Sequence, residues 1–218
     1  MGNEIGGSYP YFLIRISSKE YIENLYYRGE IYMNTVDYYR RCDDNLQIGD
    51  DLEGPSYYLG PSSIFFKGPN GLQIPINIEN LKVRFVQNIN LYCLFGITPL
   101  DLNLIEQNIS LSILRGLGDY MCIITDPRAF IHRVSAGLEK LGYNSYICRK
   151  VKYFSSDYNG EITPYMKRDI YEHQHEIRFV VSNIINQPIK LEIGSIEDIS
   201  IILPFDEKGC IQFSHLSQ

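Results

Sequence analysis

Residues Tyr11–Thr35 constrain the fold of this 218-residue chain more than any other stretch. "YFLIRI" (Tyr11–Ile16) reads as a short strand. "SSKE" then opens a helix, with Ser17 placed to cap it and Glu20, three residues on, to complete a capping box. Tyr21, Ile22, Leu25 and Tyr26 form an apolar stripe at helical spacing, and Gly29 supplies a left-handed stop. "EIYMNT" (Glu30–Thr35) follows as a second strand. A strand, a three-turn helix and a strand packed into 25 residues commit the chain to a sheet with a helix on its face.

Further along, strand-like runs occur at Ile64–Lys67, Leu81–Val86, Leu91–Ile97 and in "YMCIIT", with "GPNG" as a hairpin turn. Others are expected at Ser145–Phe154, Glu176–Ser182, Ile189–Ile193 and Ile199–Leu203. Asp126 as cap, Pro127 at the first position, an apolar face of Phe130, Ile131, Val134, Leu138 and Leu141, and Gly142 at the end specify a helix. A second helix is expected between Thr98-Pro99 and Gly116, where Leu102, Ile105, Ile109 and Ile113 recur roughly with helical period. Strands outnumber helices without alternating with them, so the expectation is α+β. Residues 1–218 read as a single domain with a mixed sheet and a few flanking helices, residues 1–9 flexible and residues 42–62 a long loop able to close over a site.

Composition bounds the function. With 44% apolar and 21% charged residues the chain is globular. A net charge of −6 leaves no global basic field for nucleic acid, only short basic patches at Lys150–Lys152 and Lys167–Arg168. Five scattered cysteines without a C-x-x-C pair read as reduced core residues of a cytoplasmic protein. The opening "MGNEIGGSYPY" has no apolar leader core, and no run approaches the ~18 apolar residues of a membrane span, so no membrane association is expected. Eighteen tyrosines and no tryptophan suit half-buried surfaces and nucleotide pockets, although an AT-rich coding bias gives the same count.

The stretch that invites chemistry is "YEHQHEIRFVV" (Tyr171–Val181), a charged half running into an apolar strand. Read as one strand, it places Glu172, Gln174, Glu176 and Arg178 on one face and His173, His175 and Ile177 on the other, with Gln174 and Glu176 roughly 7 Å apart. A carboxylate there can stabilise positive charge on a sugar or act as a general base. The plainer reading is a cross-strand ion pair between Glu176 and Arg178 on a solvated face. Arg15 lies in an apolar strand before a helix, and needs either an acid such as Glu176 or an anionic ligand. The acidic run "DDNLQIGDDLEG" (Asp43–Gly54) fails as an EF-hand, with Ile48 sixth and Gly54 twelfth, and reads as a solvated loop or a lid. His173-x-His175 lacks a third ligand, so no metal is expected.

"LIRIS" early, "RGEIYMNT" one helix later and "QHE" near the end together resemble the ADP-ribosyltransferase superfamily. The wider style, with "GDDLEG" and "RFV", resembles bacterial and phage proteins of toxin and defence settings that bring no established activity. The resemblance implies a split, mostly antiparallel sheet that binds NAD as substrate and breaks its bond to nicotinamide through an oxocarbenium-like transition state. It implies Arg15 for NAD phosphate or ribose, Tyr32, or Asn34 and Thr35, for the nicotinamide pocket, Gln174 to orient the acceptor and Glu176 to hold the ribose hydroxyl and stabilise the cation. The family's Ser-Thr-Ser strand is missing, with "YMNT" in its place. The implied function is transfer of ADP-ribose to a protein, a nucleic acid or water by a toxin or antiviral defence effector, with a possible antitoxin partner. The alternatives are a non-catalytic nucleotide- or protein-binding sensor of the same fold, and a metal-dependent hydrolase built on Asp50 and Asp51.

Overall fold

The computed structural model of the chain describes residues 9–42, 48–54, 56–60, 64–76, 80–85, 88–101, 109–183, 185–205 and 210–211. In order, the elements are β1 (Phe12–Ser17), α1 (Lys19–Arg28), β2 (Glu30–Thr35), α2 (Val36–Arg41), β3 (Ser56–Leu59), β4 (Phe65–Lys67), β5 (Gln73–Pro75), β6 (Leu81–Arg84) and β7 (Ile89–Ile97). Then come β8 (Ile109–Ser110), β9 (Tyr120–Ile124), α3 (Pro127–Lys140), β10 (Tyr146–Lys150), β11 (Lys152–Phe154), β12 (Asn159–Ile162), β13 (Met166–Arg168), β14 (Glu176–Ser182), β15 (Ile189–Glu192), β16 (Ser200–Pro204) and β17 (Cys210–Ile211). This is an α+β fold, with few helices and mostly antiparallel pairing.

The main sheet has eight strands in the order β10-β14-β7-β1-β9-β16, with β2 also pairing β7 and β15 pairing β2. On one edge of β7, β14 pairs from Ile89 to Phe95. On the other edge two strands share β7. β1 takes Phe95–Ile97 and β2 takes Asn90 and Leu91. Among the described residues, Tyr92–Leu94 therefore have no strand on that side, and the sheet divides there into a β1-β9-β16 wing and a β2-β15 wing. Smaller sheets, β12-β3-β6 and the parallel pair β11-β13, lie apart from it.

Alternation explains the core. Leu13, Cys122, Ile124, Ile177, Phe179 and Val181 join Ile22 and Leu25 of α1 and Phe130, Ile131, Val134 and Leu138 of α3 in one cluster. Residues of opposite parity, Ile14, Ile16, Phe95 and Ile97, pack on the other face. Complete burial of each such side chain contributes about 1.5–3 kcal/mol. Asp126 caps α3 by accepting from the Ala129 N–H at 3.0 Å, but Leu141, expected on its buried face, is exposed. Gly29 adopts φ +64°, and a Cβ there would stand 2.0 Å from the Gly194 carbonyl oxygen. Only glycine fits both conditions.

Several expectations are corrected. Ser17 ends β1, and α1 is entered through Ser18 with no side-chain cap, so the capping box is absent. In the region of the expected 98–116 helix, Pro99–Asp101 and Ser112–Leu117 form 3-10 turns and Ile109 lies in a strand. Leu102 and Ile105 lie outside the described residues, as do residues 1–8 and Val86. The 145–154 run is two strands, because the Val151 and Lys152 N–H groups turn to Glu176 and Tyr165 carbonyls. Residues 42–62, of which 43–47, 55 and 61–62 lie outside the described residues, contain β3. Of the acidic run, residues 43–47 lie outside the described residues; Asp50 and Glu53 are 1% and 2% exposed, so these two are buried and not solvated.

Candidate functional site

The sheet's division opens a cavity of about 630 Å³. Its walls include Arg15, Tyr32, Asn34, Tyr39, Tyr92, Cys93, Glu53, Lys167, Gln174, Glu176 and Arg178. Parity puts Arg15 and Glu176 on opposite faces of the sheet. Arg15 is opposite Cys122 of the α1/α3 cluster, whereas Glu176 is opposite Phe95 of the other cluster. One cavity reaches both because Tyr92–Leu94 lack a strand between them.

Arg15 spans this gap. Its Nη1 donates to the Cys93 carbonyl oxygen at 2.7 Å, and the guanidinium lies 5.1 Å from the Tyr92 ring centroid. Cation–π contact and one carbonyl leave the positive charge unneutralised. Among the described residues Arg15 forms no ion pair, so of its two readings the pairing with an acid such as Glu176 is not the one made.

Glu176 opens β14 and is 4% exposed. Its Oε1 accepts from Arg178 Nε at 2.6 Å and its Oε2 from Lys167 Nζ at 3.1 Å. Lys167 also donates to Gln174 Oε1 at 2.7 Å. Arg178, fully buried, holds Glu53 through Nη1 at 2.6 Å and Nη2 at 3.0 Å. Two carboxylates and two cations thus balance inside the fold, where an unpaired charge would be strongly disfavoured. Burial pushes the Glu176 carboxyl up, but the Arg178 and Lys167 charges outweigh it and hold the group well below the usual carboxylate range. Burial likewise works against the Lys167 ammonium, yet Glu176 and Glu53 raise its pKa above the ordinary value. Burial above all, and then Cys93, push the Tyr39 hydroxyl well above its ordinary value, and its ring lines the same cavity.

The opening stretch differs from its reading as one strand. Asp169–Gln174 is a 3-10 helix ended by His175 in the left-handed region at φ 39°, so Glu172 and Gln174 do not continue the β14 alternation. Gln174 still reaches the cavity and lies beside Glu176 through their shared lysine. Glu176 and Arg178 do share a face, but a buried one. His175 stacks edge-on to Phe95; among the described residues no cluster of three His, Cys, Asp or Glu is placed to hold a metal. Tyr32 and Asn34 line the cavity. Thr35 is not among the lining residues; it borders a smaller neighbouring depression and caps α2 by accepting from the Tyr38 N–H at 3.2 Å. Asp50 and Asp51 are engaged by Arg168, and Asp51 also by Lys82.

Sequence reasoning missed Glu53, Lys167 and Tyr39. Lys167, which in sequence belongs to a short basic patch with Arg168, is buried in β13. Arg178 and Glu176 already balance in charge, so nothing in the strand that carries them called for the second pair, Glu53 and Lys167. No protein-family model matches the chain, and neither a curated protein nor a solved structure matches it.

Proposed function

We propose that this cavity takes NAD as substrate and that the chain is a cytoplasmic ADP-ribosyltransferase-like enzyme, or an NAD glycohydrolase, acting as a toxin or defence effector. The observation that carries the reading is that Arg15 and Glu176 line one cavity at the division of an antiparallel sheet. Its volume falls in the ordinary range of ligand sites, roughly 300–1,000 Å³. Arg15 offers the free positive charge for the pyrophosphate, and tyrosines Tyr32, Tyr39 and Tyr92 offer flat walls for the rings.

Glu176 stays ionised and is a weak proton acceptor, so its role is electrostatic rather than general base. The bond from ribose C1′ to the nicotinamide nitrogen breaks with its electron pair going to the ring, which leaves as neutral nicotinamide. The cationic C1′ is stabilised by the carboxylate, an acceptor or water oxygen attacks it, and that oxygen's proton passes to solvent. Gln174 is positioned beside Glu176 to orient the acceptor. A partner protein that restrains the activity belongs to the same reading.

A second reading, a non-catalytic nucleotide-binding module, is favoured by one observation. Lys167 and Arg178 already offset the charges of Glu176 and Glu53. Incubation with NAD labelled in both halves, with and without cell extract, separates the two. Nicotinamide release that disappears in Glu176→Gln is the expected result. Unchanged turnover in that variant removes the mechanism, and a ligand-induced rise in melting temperature without turnover selects the module.

A further inference from the structure

The two ends of the Arg178 guanidinium serve different acids. Nε holds Glu176, whereas Nη1 and Nη2 grip both oxygens of Glu53, and Nη1 also donates to the Pro164 carbonyl at 2.5 Å. A planar fork gripped from both ends has one orientation, whereas a guanidinium with one acid can rotate about that contact. Glu53 is itself fixed. Its Oε1 accepts from the Gly54 N–H at 3.0 Å, its carbonyl accepts from Arg40 Nε at 2.6 Å, and its N–H donates to the Asp50 carbonyl at 2.9 Å. Gly54, at φ +81°, lies so close to α2 that a Cβ would stand 2.5 Å from Val36 Cγ1. The anchoring therefore runs from α2 through Glu53 and Arg178 to Glu176.

We infer that Glu53 is a positioning residue of the cavity, fixing Arg178 so that the Glu176 carboxylate keeps one place and direction. It also draws part of the Arg178 charge to itself, leaving Glu176 more able to face a developing cation. The kinetic consequence rests on the NAD-cleaving reading above; the geometric one does not.

The test compares wild type with Glu53→Gln, which keeps the shape and loses the charge, and Glu53→Asp, which keeps the charge. In Glu53→Gln, kcat for nicotinamide release should fall on the order of a hundredfold while KM for NAD stays within about twofold, because misplacement of a reacting group by ~1 Å has that effect on rate. Glu53→Asp should recover a large part of kcat. A folded Glu53→Gln with wild-type kcat, or a loss lying wholly in KM, overturns the inference. If Glu53→Gln does not fold, Arg178→Lys replaces it, since an ammonium keeps the charge but cannot grip two acids in one plane. Lost kcat with retained KM then supports the inference, and retained kcat overturns it.

A second measurement does not need turnover. The Glu176 carboxyl carbon, labelled with 13C and assigned by its absence in Glu176→Gln, should shift in Glu53→Gln and return towards its place in Glu53→Asp. Glu53→Ala, which removes the grip on Arg178, takes the place of Glu53→Gln if the latter does not fold, a displaced signal then supporting the linkage. An unmoved signal overturns the inference even if the enzyme is active. A wild type without NAD turnover removes the proposed function and leaves this signal to decide the role of Glu53.

Discussion

Replacing Arg178 with methionine removes the centre of the buried network while keeping much of its volume. The wild-type guanidinium has 0% exposure and bonds Glu176, both oxygens of Glu53 and the Pro164 carbonyl. Its loss leaves two buried carboxylates facing Lys167 alone. Breaking a buried pair from one side costs about 3–5 kcal/mol, and two stranded acids place this case near the upper end. At about 2–4 °C per kcal/mol for a domain of this size, the melting temperature should fall by roughly 10–20 °C.

The sign with pH is specific. In the wild type Glu176 is depressed below its ordinary 4.5, so its contribution is present above that pH and lost as pH falls towards the folded value. In Arg178→Met, burial of Glu176 is opposed by Lys167 alone, its carboxyl moves up, the folded chain holds a proton that the unfolded chain releases, and stability falls as pH rises above 4.5. The gap between variant and wild type should therefore widen from pH 5 to pH 8, as read by urea denaturation followed by circular dichroism. Arg178→Met/Glu53→Gln, which leaves one acid to one lysine, should narrow it. A gap below about 1 kcal/mol, or one equal at both pH values, would refute the claim that this arginine compensates two buried charges.

Arg15→Met should weaken NAD or ADP-ribose binding by about ten- to a hundredfold, the equivalent of one or two charge-assisted hydrogen bonds, while the melting temperature changes little. Calorimetry giving equal affinities would remove Arg15 from the ligand. Burial, and then the Glu53 charge, push the Asp50 carboxyl up to about 6 against the pull of Arg168. Between its ordinary 3.8 and about 6 the folded chain holds a proton that the unfolded chain has lost, so this residue's contribution declines as pH climbs through that window. Asp50→Asn should flatten that slope and stabilise the fold at pH 7 by on the order of 1–3 kcal/mol. Melts at pH 4.5 and pH 7 check it, and a less stable variant at pH 7 contradicts the account.

The parts of the fold legible in the sequence were those whose signals are local. The Tyr11–Thr35 unit, the helix from Pro127 and the strand from Glu176 follow from periodicity, proline and glycine placement within a dozen residues. What stayed hidden depends on contacts far apart in the chain. Glu53 and Arg178 are 125 positions apart, and nothing near Glu53 distinguishes a buried carboxylate from a solvated one. The turn at His175 was missed for another reason. A left-handed residue is signalled by glycine or asparagine, and a histidine there disguises the end of a 3-10 helix as continued strand. Arg15 and Glu176 were legible as residues wanting a counterpart, but not the gap in β7 pairing that lets one cavity reach both.

That gap has a mechanical consequence. Over Tyr92–Leu94 the β1-β9-β16 wing and the β2-β15 wing are joined through β7 but not to one another by a ladder, so the seam can widen without breaking strand pairing. On the β1 side, Arg15 reaches only the Cys93 carbonyl of β7 among the hydrogen bonds of the described residues. If the cavity takes the ligand proposed above, contacts from Arg15 on one wing and from Tyr32 and Asn34 on the other would tie the two halves together, so that occupancy would stiffen the sheet instead of prising it open.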